Sequence, residues 1–450
     1  MSVGRIALVA AIGGLLFGYD TGIIAGALLF ARDDLSMGSF EQGLVVAMVP
    51  LGAAFGAIFA GRFSDRYGRR AVVGAAAVVF LLGSLACAAA PSVAVLAGAR
   101  FLLGVAIGFA STSCPVYISE VAPPAERGRL VSLFQLAVVV GILVAYLVAL
   151  ALEPSEDWRL MLGLGAVPAL LLGIGMLQVP PSPRWLAMVG RDDEARAVMA
   201  SLHMPDDEVD TELTAIHAGL KTEQATWRDL IRQPVRAALI VGVGLAILQQ
   251  VTGINTVIYF APTIVEFAGV TSSSAAILST VGIGLVNLVA TIIAVRIVDR
   301  AGRRPMLIAG ISGMVLALLV LALAFGLDPD GKDSITAPVT VVALMAYVAA
   351  FALSLGPIFW LLNAELYPLR ERGAAAGAGT TANWASNFVV SLTFLPLISA
   401  LGVAGAFGFY AGVGVLAVIF CITLVPETRG RSLQEIEELW KRRAGMDAPS

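Results

Sequence analysis

Twelve times along this chain, roughly 20 apolar residues run together almost unbroken, the length an α-helix needs to cross a bilayer. The runs fall at about 6–30, 43–61, 71–90, 93–115, 130–152, 160–179, 237–266, 275–297, 305–326, 338–362, 373–400 and 402–425. Backbone polar groups in lipid must be satisfied within the protein, so such runs predict hydrogen-bonded helices. The composition agrees: 58% of the 450 residues are hydrophobic and 14% charged, more apolar surface than a soluble chain of this length can hide. The expected class is an all-α membrane protein of twelve spans.

Other totals exclude partners. A net charge of −3 gives no footing for nucleic acid. Cys87, Cys114 and Cys421 lie scattered in apolar runs and read as small core residues. The first run follows Arg5 as in a signal peptide, but it continues to Phe30 without a cleavage site in a polar region, so a retained helix is expected. One long polar segment interrupts the spans. Its stretches "GRDDEARAVMASL" and "VDTELTAIHAGL" repeat apolar residues at helical spacing, which predicts surface helices against the membrane domain. The expected organisation is a six-helix bundle over 1–180, a helical linker over 181–236, a second bundle over 237–426 and a tail over 427–450.

Charge fixes the expected orientation. With the N-terminus in the cytoplasm, Arg32, Arg159 and Lys332 face outward and Arg100 sits within a span, leaving 25 of the 29 basic residues on the cytoplasmic side. That is the bias of the positive-inside rule, and it places both termini in the cytoplasm. The chain also repeats itself. "DRYGRR" at 65–70 returns as "DRAGRR" at 299–304, "SEVAPPAERG" at 119–128 as "AELYPLRERG" at 364–373, and "VP" at 179–180 as "VP" at 425–426. Repeated six-helix halves are an architecture of alternating-access transporters, with the site between the halves near the midplane.

Within the spans, charge is rare and expensive. A carboxylate at bilayer depth costs roughly 2.5–3.5 kcal/mol on insertion scales, yet Asp20 interrupts the first run. Arg100 is the one basic residue well inside a span, away from its ends. Counting 1.5 Å per residue from the outer ends puts Asp20 about 15 Å deep and Arg100 about 12 Å deep, so an ion pair is expected. It is either a permanent brace or a proton site whose pairing alternates, because burial and a neighbouring arginine push a carboxylate in opposite directions. At the cytoplasmic ends, Glu120 and Glu365 close spans four and ten while Arg69 and Arg303 follow spans two and eight. Arg127 and Arg372 lie seven residues beyond the glutamates, and Asp65 and Asp299 head the repeated loops. Such groups can form charge-assisted pairs that must break when the halves part.

The second half supplies uncharged polar groups at depth: Gln249, Gln250, Asn255, Asn287 and Asn383. Amides donate and accept, which suits the hydroxyls of a neutral polyol. Phe17, Tyr259, Phe351, Trp360 and Trp384 add aromatic faces for a sugar ring. Gly253 predicts a break in span seven, and Gly356 with Pro357 a bend in span ten.

The ordered set "GRFSDRYGRR", "PVYISEVAPPAERG", "PPSPRWL", "QQVTGIN", "VDRAGRRP", "NAELYPLRERG" and "PETRGRSL" resembles the sugar porters of the major facilitator superfamily from end to end. One departure is Pro181, where that family usually shows an acid. The resemblance implies that Gln135, Gln249, Gln250, Asn255, Asn287, Trp360 and Asn383 contact sugar, and that the cytoplasmic charges latch that side shut in the outward-open state. It implies proton coupling through the Asp at position 20, since passive members tend to carry Asn there, and Ile142 and Asn383 look more like hexose-carrying members. The expected function is proton-coupled symport of a neutral monosaccharide, a hexose such as glucose, by a monomer in a bacterial inner membrane. A passive uniporter is the alternative. A sugar sensor is not expected, since such proteins usually need a long signalling tail and 24 residues follow Pro426 here. An enzyme or ATP-driven pump is excluded because His203 and His217 lie in the polar segment and no metal-ligand spacing or phosphate loop is present, so no cofactor is expected.

Overall fold

The computed structural model describes residues 2–123, 126–202, 206–220, 227–233, 235–368, 370–431 and 433–443. Nineteen α-helices, and no strand, occur among them. The first half comprises α1 (Val3–Asp34), α2 (Ser39–Tyr67), α3 (Arg69–Ala88), α4 (Val93–Val121), α5 (Arg127–Leu152), α6 (Trp158–Gly163) and α7 (Ala166–Gln178). Four shorter helices follow: α8 (Pro183–Met188), α9 (Asp192–Ser201), α10 (Asp206–Leu220) and α11 (Trp227–Leu230). The second half contains α12 (Val235–Val251), α13 (Ile254–Phe267), α14 (Ser273–Ala301), α15 (Arg303–Leu327), α16 (Thr336–Ala352), α17 (Leu355–Glu365), α18 (Arg372–Thr423) and α19 (Leu433–Arg443).

All twelve apolar runs are helical. Among the described residues eleven helical stretches are long and apolar enough to cross a membrane, and the longest, α18, is two spans joined end to end at Gly402. Gly402 has φ 71°, in the left-handed region, so the break falls between the runs 373–400 and 402–425. Span seven is α12 plus α13, parted at Gly253 (φ 93°). Span ten is α16 plus α17, and its break lies at Leu353 and Ser354, just ahead of the expected Gly356 and Pro357. Proline fits the first turn of a helix, where its missing N–H has no intrahelical partner, so the chain turns before it.

By packing, the chain divides into two compact units. One contains Met1–Ile23, Met48–Ala145 and Trp158–Glu223; the other contains Ile24–Ala47, Tyr146–Asp157 and Gln224–Ser450. The division cuts through α1, α2 and α5, whose ends away from the basic loops belong to the second unit.

In the first unit, glycines set the helix spacing. Gly14, Gly18 and Gly22 recur every fourth residue on α1 and face Phe134, Val138 and Ile142 of α5. A β-carbon at Gly18 would run into the Val138 carbonyl. Gly52 and Gly56 of α2 likewise meet Gly104 and Gly108 of α4. Lipid provides no hydrophobic force between helices, so close approach through small residues supplies the packing. The polar-segment helices bury Leu186, Ala187, Ala195, Met199, Val209 and Leu213 in a core of their own. Trp185 of this segment donates from Nε1 to the Asp65 carbonyl at 3.0 Å, and the Tyr117 hydroxyl of α4 donates to the Pro180 carbonyl at 2.6 Å. His217 pairs with Asp192, and His203 lies outside the described residues.

In the second unit, α19 packs against α12, with Trp440 buried and its Nε1 donating to the Leu366 carbonyl, just past the end of α17, at 2.9 Å.

Candidate functional site

Asp20 and Arg100 meet in the first unit. The sequence places them on different helices at matching depth, and Arg100 Nη1 donates to Asp20 Oδ1 at 2.8 Å. Their side chains are 3% and 1% exposed, so solvent does not screen the pair. Asp20 Oδ2 has no hydrogen-bond partner among the described residues. A carboxylate with one oxygen committed and one free can take a proton without first losing its arginine. Packing brings the two together: the glycine face of α1 lies on α5, and Asp20 follows Gly18 by two residues, which turns it toward α4. Phe17 and Gln135, also in this unit, are partly buried on α1 and α5.

Four of the five deep amides of the second unit form one connected cluster. Gly253 breaks the helix so that Asn255 Nδ2 reaches back to Gln250 Oε1 at 2.6 Å. Gln250 Nε2 donates to Asn383 Oδ1 at 3.0 Å, and Asn383 Nδ2 donates to Gln249 Oε1 at 2.5 Å. Gln249 Nε2 donates in turn to the Leu355 carbonyl at 2.8 Å, which pins the start of α17 beside the α16–α17 break. A sugar hydroxyl binds here by exchanging with these bonds, because Asn383 and Gln250 already donate both amide hydrogens and Gln249 Oε1 accepts twice, while one acceptor site on Gln250 and on Asn383 stays open. Asn287 is buried on α14, outside this cluster, and Trp384 is buried on α18. Phe351 packs against Gly356, and Trp360 lies 38% exposed with its ring edge-on to Phe359. Two polar residues that the sequence does not single out, Asn387 and Ser391, extend the polar lining. Asn387 donates to the Tyr259 hydroxyl at 3.3 Å and accepts from the Ser391 hydroxyl at 3.0 Å. The signal for them is the spacing Asn383–Asn387–Ser391, one polar residue per helical turn along α18.

At the basic-loop end, each unit pairs an arginine with a glutamate that also accepts from a hydroxyl. In the first, Arg69 pairs with Asp65 at 3.0 Å and Glu120 at 3.1 Å, and the Ser182 hydroxyl donates to Glu120 at 2.5 Å. In the second, Arg303 pairs with Glu365 at 3.2 Å, and the Thr428 hydroxyl donates to Glu365 at 2.7 Å. Arg127 is exposed and lines a small cavity with Glu120 and Arg184. Arg372 donates to the Tyr367 carbonyl at 3.1 Å, a nearer acceptor than the glutamate seven residues back. The side chain of Asp299 lies outside the described residues.

The second unit has a carboxylate, Glu427, where the first has proline. Glu427 accepts from the backbone N–H of Arg303 and Arg304, both at 3.0 Å, and so caps the start of α15 with a carboxylate. The repeat of "VP" puts Pro181 in its place in the first unit, and Gly68 at the start of α3 has no side-chain cap. Pro181→Glu is expected to stabilise the protein by about 1 kcal/mol, the usual scale of an acidic cap, read as a higher Tm in detergent.

Partial burial pushes the Glu427 carboxyl up, but backbone donors from Arg429, Arg303, Arg304 and Thr428 together hold it below the ordinary glutamate range. A depressed folded-state value means the stabilisation is present above the unfolded value and is lost as pH falls through the folded one. Melting temperatures of the parent and Glu427→Gln should therefore differ at neutral pH and converge in acid.

Comparison with known proteins fits this geometry. Residues 6–440 match the family described as sugar (and other) transporters. The glucose transporter GlcP of Staphylococcus epidermidis is 40% identical over 98% of both chains. The arabinose-proton symporter of Escherichia coli K12 is 41% identical over 96% of this chain and 92% of its own. The solved xylose transporter XylE of E. coli, in a partially occluded inward-open conformation, superposes with a TM-score of 0.84 at 31% identity, covering 96% of this chain and 99% of its own. A twelve-span helical membrane protein with these motifs, matched over nearly its whole length, is a transporter and not an enzyme; the chain belongs to the sugar porters of the major facilitator superfamily.

Proposed function

We propose that this protein is a proton-coupled symporter of a neutral monosaccharide, a hexose such as glucose, working by alternating access. The observation that carries the coupling is the buried Asp20, paired to Arg100 through one oxygen and free at the other. Protonation weakens the pair, and its re-formation favours a different arrangement of α1 and α4. Coupling follows if sugar binds the two arrangements unequally. Relatives named for glucose transport and for arabinose-proton symport support the reading.

The sugar is held by Gln249, Gln250, Asn255, Asn287, Asn383 and Gln135, with Phe17, Tyr259, Phe351, Trp360 and Trp384 covering its apolar faces beside Gly356. Amides without a buried counter-charge suit a neutral ligand. Asp65, Arg69, Glu120 and Arg127, and their repeats Asp299, Arg303, Glu365 and Arg372, latch the cytoplasmic side. Glu365→Gln should shift the population toward inward-open, read as the ratio of inside to outside cysteine labelling. The bundles are 1–180 and 237–426, joined by the linker 181–236 and followed by a tail over 427–450. The protein works as a monomer in a bacterial inner membrane with both termini cytoplasmic, as its basic loops favour.

The test is uptake by proteoliposomes of single sugars with and without an inward proton gradient. Glucose accumulated only with the gradient supports the reading. Equilibration that ignores the gradient leaves a uniporter, and accumulation of a pentose alone replaces the hexose.

A further inference from the structure

The helix α13 is bordered and interrupted by breaks. Gly253 separates it from α12, and Phe260 leaves helical geometry (φ −116°, ψ 16°) two residues before Pro262. Proline has no N–H, so the Ile258 carbonyl, four residues back, lacks its helical donor. A buried carbonyl left without a donor costs about as much as a lost hydrogen bond. Here another helix supplies the donor: the Tyr146 hydroxyl of α5, buried, donates to the Ile258 carbonyl at 3.0 Å. At the far end of α13, Glu266 accepts from Arg32 of α1 at 2.8 Å and 3.2 Å, a two-pronged guanidinium–carboxylate contact. Both contacts lie within the second unit, which takes in the ends of α1 and α5. α13 carries Asn255 just before the first contact and Tyr259 between the two, so its position bears on the polar cluster.

We propose that Tyr146 and the Arg32–Glu266 pair form a two-point clasp on α13 that holds the outer face shut, with Tyr146 a positioning residue acting through the carbonyl that Pro262 leaves free. The proposal rests on the orientation and alternating access argued above, and on neither the sugar nor the proton. Opening the outer face requires α13 to leave α1 and α5, breaking both contacts. Weakening either one raises the fraction of time α13 is released.

The test places a cysteine at Thr263, a small, buried side chain on α13. The three native cysteines are buried. The rate at which a membrane-impermeant maleimide labels Thr263→Cys from outside reports release of α13. Tyr146→Phe should raise that rate roughly two- to tenfold, the scale of one net hydrogen bond. Arg32→Gln should raise it roughly two- to fivefold, as for a partly exposed ion pair. Exchanging the charges (Arg32→Glu with Glu266→Arg) should return it toward the parent rate. The arm that separates positioning from packing is Pro262→Ala, which gives Ile258 a donor inside α13. In that background Tyr146→Phe should have less than half its effect. An equal rise in both backgrounds, or none in either, overturns the role of Tyr146. No change with Arg32→Gln overturns the second point, and labelling only from the cytoplasmic side overturns the outer assignment. Labelling needs no sugar and no pH gradient, so it can be read whether or not the symport assay succeeds.

Discussion

Replacing Asp20 with asparagine should abolish accumulation of sugar against its gradient while leaving sugar exchange intact. One pH unit is worth about 1.4 kcal/mol, so a carrier that moves one proton per sugar can concentrate it roughly tenfold across that gradient. Asparagine keeps the size of the side chain and a carbonyl acceptor for Arg100 but cannot take a proton. In proteoliposomes with an imposed gradient the accumulation ratio should fall from roughly ten toward one. Exchange of labelled for unlabelled sugar should continue, because the amide cluster of α12, α13 and α18 is untouched. A ratio that stays near ten in the variant rejects Asp20 as the proton site. Stability should fall as well. Arg100 is 1% exposed, and breaking a buried pair by removing one charge typically costs about 3–5 kcal/mol. A second change, Arg100→Gln on the Asp20→Asn background, should recover part of the lost Tm while leaving accumulation abolished. That combination separates the brace the pair provides from the proton it carries.

The second large effect is expected at Gly18. Its missing side chain lets α1 lie against the Val138 carbonyl, and Gly14 and Gly22 make the same approach one turn to either side. Gly18→Val would force the two backbones apart. Overpacking ordinarily costs about 1–3 kcal/mol, and here the obstacle is backbone, which cannot rotate away as a side chain can. The displacement also reaches Asp20, so the ion pair suffers with the packing. The expected outcome is little folded protein by gel filtration, and loss of coupled uptake in what remains. Gly98 provides the control. It lies within α4 with open space where a β-carbon would stand, so Gly98→Ala should be neutral or stabilise by up to about 1 kcal/mol. Equal tolerance of both substitutions would reject the glycine face as the device that sets the α1–α5 distance.

Much of the molecule is legible in the order of its residues. The spans can be read there because lipid leaves a backbone one economical solution over 20 apolar residues, and even the joined spans of α18 separate at Gly402. The meeting of Asp20 and Arg100 is legible because depth is one coordinate that sequence supplies directly in a membrane: residues counted from a span end convert to ångströms. Depth says nothing of direction around a helix, and there the pattern runs out. Arg127 and Arg372 sit at a spacing that suggests the glutamates, yet one is exposed and the other bonds to a nearby turn. Asn387 and Ser391 escape notice because a single polar residue in an apolar run looks the same whether it faces a neighbour or a ligand. Glu266 escapes notice because the end of a span is where charge is unremarkable.

The class and the number of spans can be read from residue order alone, as can the place of each polar group along its span, since these follow from the cost of placing polar atoms in hydrocarbon. Which of those groups touch is a property of the folded chain. Contacts depend on helix rotation and separation, and those are set by glycines meeting carbonyls, by breaks such as Gly253, and by side chains that reach across from distant helices, none of which a one-dimensional pattern of polarity records.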